Sequence, residues 1–239
     1  MSTVQIVLVE PRDAANVGAV CRAMKTMGLK HLCIVGSLDY DINRVYTLAL
    51  HARDVYESAR RCTTLKEALK ESALVFGASR RRGKFRKYFS ISPETMAEKI
   101  SLIQEGTVSI VFGRESDGLT DKELSLCNMA VRIPTSGEFP SLNLAQAVQI
   151  ITYTLFNSTR PLGLYTPVTG EILDHLTAVI TESLENIGFF KLEEKEEVGR
   201  FYKDIFARSL MSHSEAKRLE KMFKKIAALK IHKRESHFR

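Results

Sequence analysis

The sequence predicts an α/β protein: a mostly parallel sheet with helices on both faces, followed by a small helical extension. Three observations predict it. Short β-branched runs recur through the first two-thirds of the chain, helix-period segments lie between them, and the last third carries only helix-period patterns. Strands that alternate with helices build a parallel sheet covered on both faces.

Val4–Val9, His31–Val35, Ala73–Phe76, Val108–Phe112 and Met129–Ile133 read as buried strands. Asn16–Met27, Leu65–Ser72, Pro93–Gln104, Thr120–Cys127 and Asn143–Phe156 read as helices. In the last of these, Leu144, Val148, Ile151 and Leu155 recur at helical spacing and give one apolar face. Residues 1–157 then form one domain. Residues 158–170 carry Pro161, Gly163, Pro167 and Gly170 without any period, and read as a linker. Residues 171–239 form the extension. Its three apolar stripes are Ile172, Leu176, Val179 and Ile187; Val198, Phe201, Tyr202 and Ile205; and Leu219, Met222, Phe223 and Ile226.

A chain of 239 residues can bury a sizeable core without covalent staples. The four cysteines, Cys21, Cys33, Cys62 and Cys127, have no metal-type spacing and are expected to be reduced core residues of a cytoplasmic protein. No histidine pair has ligand spacing, so no metal is expected. No apolar run approaches the roughly 18 residues of a membrane span, and Met1–Val9 has no signal-like character. A formal charge of +7 points to a polyanionic partner. That charge is unevenly placed. Val198–Arg239 holds twelve basic and four acidic residues, a surplus of eight, so the remainder is slightly acidic. The tail is therefore a candidate phosphate-binding surface, with a solvated helical face as the plain alternative.

The glycines form neither a dinucleotide fingerprint nor a phosphate loop, and no nucleophile elbow is present. A ligand of this sheet must be held by loops beyond the carboxyl ends of its strands. Gly36, Gly77 and Gly113 end strands where a backbone could approach a ligand closely. Four clusters carry candidate chemistry. Asn16 to Arg22 opens the first helix, with Gly18 between them. Gly77–Phe89 sets six cations, Arg80, Arg81, Arg82, Lys84, Arg86 and Lys87, among three aromatic residues, a mixture suited to phosphates and unpaired bases. Phe112–Leu119 is a loop with glycines at 113 and 118, able to hold a ligand by backbone groups. Ile133 to Asn143 ends on Ser141, Leu142 and Asn143, where a helix N-terminus offers N–H donors. Each cluster also has a plain reading as a cap, a turn or a solvated loop.

Taken in order, N-x-G-x-x-x-R at Asn16–Arg22, F-G-R-E-x-x-G-L at Phe112–Leu119 and I-P…S-L-N-L-A from Ile133 to Ala145 resemble the SPOUT class of RNA methyltransferases. Leu8-Val9-Glu10-Pro11 and Arg22–Leu29 look most like its TrmJ-type tRNA (cytidine/uridine-2′-O-)-methyltransferases. The resemblance covers about residues 3–160 closely. It departs at Ala78-Ser79-Arg80, where the family often reads T-S-A-R. It implies a trefoil-knotted sheet, a homodimer, S-adenosylmethionine as cofactor, and methyl transfer to a ribose 2′-hydroxyl at nucleotide 32 of the tRNA anticodon loop. Cofactor contacts fall on Ala78, Ser79, Arg80, Gly113, Ile133, Ser141, Leu142 and Asn143. Arg22 would serve the reacting hydroxyl of the partner protomer's site, with Asn16 and Glu115 orienting it and Arg114 and Ser141 holding the ribose-phosphate. Arg81, Arg82, Lys84, Arg86 and Lys87 would bind RNA. Two alternatives remain open here: a methyltransferase of the same class acting on ribosomal RNA or another tRNA site, and a non-catalytic RNA-binding module.

Overall fold

The computed structural model describes residues 2–36, 39–80, 90–158 and 166–228. The chain falls into two compact units, Met1–Pro167 and Val168–Arg239. Of the predicted linker, 159–165 lies outside the described residues.

Among the described residues the first unit holds a seven-stranded sheet in which every strand pairing is parallel. Its strands are β1 (Thr3–Val9), β2 (His31–Val35), β3 (Arg60–Cys62), β4 (Ser72–Ala78), β5 (Ser90–Ile91), β6 (Thr107–Phe112) and β7 (Met129–Val131), in the spatial order β3-β2-β1-β6-β4-β7-β5. Its helices are α1 (Ala14–Thr26), α2 (Ile42–Ala49), α3 (Arg53–Glu57), α4 (Leu65–Ala68), α5 (Pro93–Ser101), α6 (Asp121–Ser125) and α7 (Leu144–Asn157). Four successive residues of β1, Ile6 to Val9, are buried, which requires cover on both faces of the sheet. Val7, Val9, Val75 and Val111 pack on one side against Leu65 of α4 and Leu124 of α6. The intervening Ile6, Leu8, Phe76 and Ile110 are equally buried. That leaves the opposite face to α1, α5 and α7, in which α7 packs against both of the others.

Several boundaries differ from the sequence reading. The helix expected over Leu65–Ser72 is the single turn of α4, because Ser72 already belongs to β4. There its hydroxyl meets that of Ser109 at 2.7 Å inside the sheet. The strand expected to reach Ile133 stops at Val131, which frees Ile133 for the following loop. The elements α2, α3, β3 and β5 lie where no period is visible. Of them α2 buries only Val45 and Ala49 and is started by Asp41, whose carboxylate accepts from the Asn43 N–H.

Among the described residues the second unit carries α8 (Gly170–Asn186), α9 (Lys195–Ser209) and α10 (His213–Ala227), with a 3-10 turn at Leu192–Glu194. The fully buried stripe of α8 is Leu173, Leu176, Ile180 and Leu184; of the predicted stripe Leu176 belongs to it, and Ile172 and Ile187 pack half-buried against the same core. These residues meet Phe206, Met211 and Ala216 in one core. Tyr202 stacks on Phe206 at 5.8 Å and meets Phe223 edge-on at 6.1 Å. Phe201 and Met222, expected to face inward, are exposed.

Candidate active site

Beyond the carboxyl ends of β4, β6 and β7 lies a cleft of about 840 Å³, part of it open to solvent. Three loops build it. The chain leaving β4 stays paired, since the Ser79 N–H donates to the Val131 carbonyl at 3.0 Å, and Ala78, Ser79 and Arg80 form one wall. The loop after β6 forms the second, where Gly118 donates its N–H back to the Arg114 carbonyl at 2.8 Å and closes a tight turn with φ of 68° at Gly118. The third wall runs from Val131 and Ile133 through Thr135 and Pro140 to Ser141, Leu142 and Leu144. Thr135 donates its hydroxyl to the Pro140 carbonyl at 3.3 Å, bending that loop back on itself. Backbone groups, charged side chains and apolar side chains thus face one space, the mixture of a small-molecule site.

Of the predicted cofactor residues, Ala78, Ser79, Arg80, Gly113, Ile133, Ser141 and Leu142 line this cleft. Asn143 does not line it. Its Oδ1 accepts from the N–H groups of Ala145 at 2.8 Å and Gln146 at 3.4 Å, so those first-turn donors of α7 are occupied. The Asn143 cap thus takes two of the N–H groups that the helix N-terminus could offer a ligand. Thr135 and Pro140 line the cleft without any signal in the sequence beyond lying in the right loop.

At the three strand-end glycines the protein itself excludes a side chain. A Cβ on Gly113 would lie 2.1 Å from the Gly118 carbonyl carbon, so the returning loop leaves no room for one, while Gly113 still lines the cleft. A Cβ on Gly77 would meet Leu124 at 2.7 Å, and one on Gly36 would meet Glu10 at 2.9 Å. Gly18 is buried and admits the backbone of α2, with the Val45 carbonyl oxygen 2.2 Å from the position of a Cβ.

Arg114 and Glu115 are adjacent and engage different partners. Glu115 accepts from Asn16 Nδ2 at 2.9 Å and from the backbone N–H groups of Arg12 and Asp13 at 3.0 and 3.3 Å, ahead of α1. Asn16 in turn accepts from Asn143 Nδ2 at 2.8 Å. A hydrogen-bonded chain therefore ties the β6 loop, the start of α1 and the cap of α7. Burial pushes the Glu115 carboxyl up, but the bonds from Asn16 and the backbone outweigh it and hold the group below the ordinary carboxylate range. Arg114 donates Nε to Glu10 at 2.9 Å and both Nη groups to Glu123 at 3.1 and 3.0 Å. Those two carboxylates, Glu123 foremost, push the guanidinium further up.

Arg22 is exposed on α1, does not line the cleft, and has no ion-pair partner among the described residues. Arg81, Arg82, Lys84, Arg86 and Lys87 lie outside the described residues. All four cysteines are free and buried, with the sulfurs of Cys33 and Cys62 3.6 Å apart. Among the described residues no side-chain cluster is suited to a metal ion, and no helix is long and apolar enough to cross a membrane.

A parallel sheet with its cleft in the loops after β4, β6 and β7 is the ligand-binding arrangement of an open α/β protein. The model of the SpoU rRNA methylase family matches residues 3–153, and the chain belongs to that family. It is 33% identical over 233 residues, 90% of each chain, to the tRNA (cytidine/uridine/adenosine-2′-O-)-methyltransferase TrmJ of Pseudomonas aeruginosa. It is 38% identical over 155 residues to the tRNA (cytidine-2′-O-)-methyltransferase TrmJ of Methanocaldococcus jannaschii, covering 64% of this chain and 67% of that one. The crystal structure of TrmJ from Z. mobilis superposes with a TM-score of 0.71 at 27% identity, over 95% of this chain and 99% of that one.

Proposed function

We propose that this chain transfers a methyl group from S-adenosylmethionine to a ribose 2′-hydroxyl of tRNA, at cytidine or uridine of anticodon-loop nucleotide 32. The observation that carries the reading is the cleft. Two of its three loops carry motif residues, Phe112–Leu119 and Ile133–Leu142, in a chain that aligns over 90% of its length with a tRNA 2′-O-methyltransferase. Residues 1–157 would hold the chemistry, in a sheet whose C-terminal part is knotted, and residues 171–239 would extend the RNA contact beyond the linker.

The lining of the cleft suits the donor. Leu119, Ile133, Leu142 and Leu144 offer apolar flanks for an adenine ring, while backbone groups of the three loops can read its edge. Bound there, S-adenosylmethionine supplies a methyl already activated by the sulfonium charge. The protein's task is then mainly positioning. Ser141 is exposed at the cleft mouth, placed to hold the ribose-phosphate.

The 2′-hydroxyl must lose its proton as it attacks. Arg22 lies outside the cleft, which suits a residue that serves a second protomer's site in a homodimer. A guanidinium stays protonated, so its role is to bind the neighbouring phosphate and to stabilise the developing alkoxide. The Glu115–Asn16–Asn143 chain sets the start of the helix that carries it. No membrane and no metal take part in this reading, and the cytoplasm is where its substrate lies.

Labelled-donor assays on two synthetic tRNAs test the site. Label should enter a tRNA with an ordinary ribose at nucleotide 32 and stay out of one carrying 2′-deoxyribose there. Equal labelling of both overturns the position, and label in neither, with label entering ribosomal RNA in a parallel reaction, overturns the substrate.

A further inference from the structure

We infer that Glu10 and Glu123 are positioning residues that act through Arg114, a clamp that sets the β6 loop in the form that binds S-adenosylmethionine. The inference rests on the cofactor placement proposed above. Its basis is a set of contacts far apart in sequence. Glu10 follows β1, Glu123 lies in α6, and the Arg114 side chain between them is only 14% exposed. The Glu123 pair is bidentate, the geometry that adds direction as well as attraction. Glu123 is itself held, since it accepts from the Thr120 N–H at 2.8 Å in a capping box with the Thr120 hydroxyl. Glu10 is held differently. Its φ is 45°, a left-handed conformation that few side-chain-bearing residues adopt, and its N–H is fastened to the Val35 carbonyl at 2.8 Å. Backbone strain of this kind persists only where surrounding contacts over-determine it.

Neither glutamate lines the cleft, whereas every residue from Phe112 to Leu119 does. The clamp therefore grips that loop one residue beyond Gly113. Glu115, the next residue, is tied to α1. Between them the two side chains fasten the loop to two different parts of the fold. The resemblance would have Arg114 hold the ribose-phosphate instead. Three of its donor nitrogens are already committed to carboxylates, and an arginine so placed orders the protein around it.

Calorimetric titration of the full chain with S-adenosylmethionine tests the clamp, each variant being kept well below its unfolding midpoint. Glu123→Gln should weaken affinity about tenfold, and Glu10→Gln, which leaves the α6 cap intact and removes a more exposed partner, about threefold. Arg114→Ala should match or exceed the first, and the double variant Arg114→Ala/Glu123→Gln should be no weaker than Arg114→Ala alone. Arg114→Lys should fail to restore binding, because an ammonium cannot span two oxygens in a fixed plane. Normal affinity in both glutamine variants overturns the clamp, and so does strict additivity in the double variant. Full rescue by Arg114→Lys, with a tRNA salt slope shallower by about 0.7–0.9 in Arg114→Ala, overturns it in favour of a phosphate contact. An unaltered chain that binds the cofactor but methylates no tRNA overturns only the proposed reaction; one that binds no cofactor overturns the reading of the cleft and the clamp's role with it.

Discussion

Replacing Gly113 by alanine adds one methyl group at the most closely packed point of the cleft. The new carbon would stand 2.1 Å from the carbonyl carbon of Gly118 and 2.3 Å from its oxygen and from the Leu119 nitrogen. To reach an ordinary contact of 3.4 Å the returning strand of the loop must retreat by about 1.3 Å. All three atoms are backbone, so no side chain can swing aside. The 2.8 Å bond from Gly118 N–H to the Arg114 carbonyl cannot survive that movement. Overpacking of this kind costs about 1–3 kcal/mol, and the broken bond adds about 1 kcal/mol. For a chain of this size a loss of about 2–4 kcal/mol lowers the unfolding midpoint by roughly 5–15 °C. The same retreat moves the wall that runs from Gly113 to Leu119, so S-adenosylmethionine affinity should fall at least about tenfold even in the folded variant. Differential scanning calorimetry and ligand titration read the two effects separately. If both the midpoint and the affinity are unchanged, the tight turn is not part of the site. If the midpoint is unchanged and affinity alone falls, Gly113 faces the ligand and not Gly118.

Arg22→Ala should reduce methyl transfer by about 10²–10³ while cofactor affinity stays within a few-fold, because the side chain lies outside the cleft; single-turnover kinetics with near-normal rates would remove it from the mechanism. Reversing charge at Arg81, Arg82 and Lys84 should weaken tRNA binding and lower its log–log salt slope by roughly 0.7–0.9 for each phosphate that is no longer neutralised, which filter binding across a salt series reads directly. Truncation after Pro167 should leave a folded dimer that binds S-adenosylmethionine and has little of its tRNA affinity left; light scattering that shows a monomer, or filter binding that shows full affinity, contradicts this. Burial raises the carboxyls of Glu115 and Glu123, but hydrogen bonds from Asn16 to the first and from Arg114 to the second hold both below the ordinary range in the folded chain. Their contribution is therefore complete above that range and is lost as pH falls through the lowered folded values. The unfolding midpoint should drop on acidification below about pH 4, and less steeply in Glu123→Gln.

The sheet was legible because its strands are buried on both faces. Val4–Val9 and Val108–Phe112 read as continuous apolar runs and pair with each other in parallel register from Val4 and Val108 to Leu8 and Phe112. The short edge strands β3 and β5 were not legible: three and two residues carry no period, and Arg60-Arg61 in β3 reads as surface. The loops of the cleft were legible as places but not always as causes. A glycine at a strand end looks the same whether a ligand or the chain itself approaches it, and at Gly36, Gly77 and Gly113 the approach is by Glu10, by α6 and by Gly118. Arg114 shows the same limit. A cation after a buried strand reads as a ligand donor until folding brings in Glu10, 104 residues away. The Asn143 cap was legible in the local pattern, but its bond to Asn16 spans 127 residues and belongs to the tertiary structure alone.

Whether the cleft beyond β4, β6 and β7 serves methyl transfer to a tRNA ribose is tested most directly by one measurement. The full chain is incubated with unmodified whole tRNA and isotope-labelled S-adenosylmethionine, and the tRNA is then digested and the labelled nucleoside identified by mass spectrometry. The expected product is 2′-O-methylcytidine or 2′-O-methyluridine carrying the label, mapped to nucleotide 32. Label on a base atom, or none above that of a heat-denatured control, would contradict it.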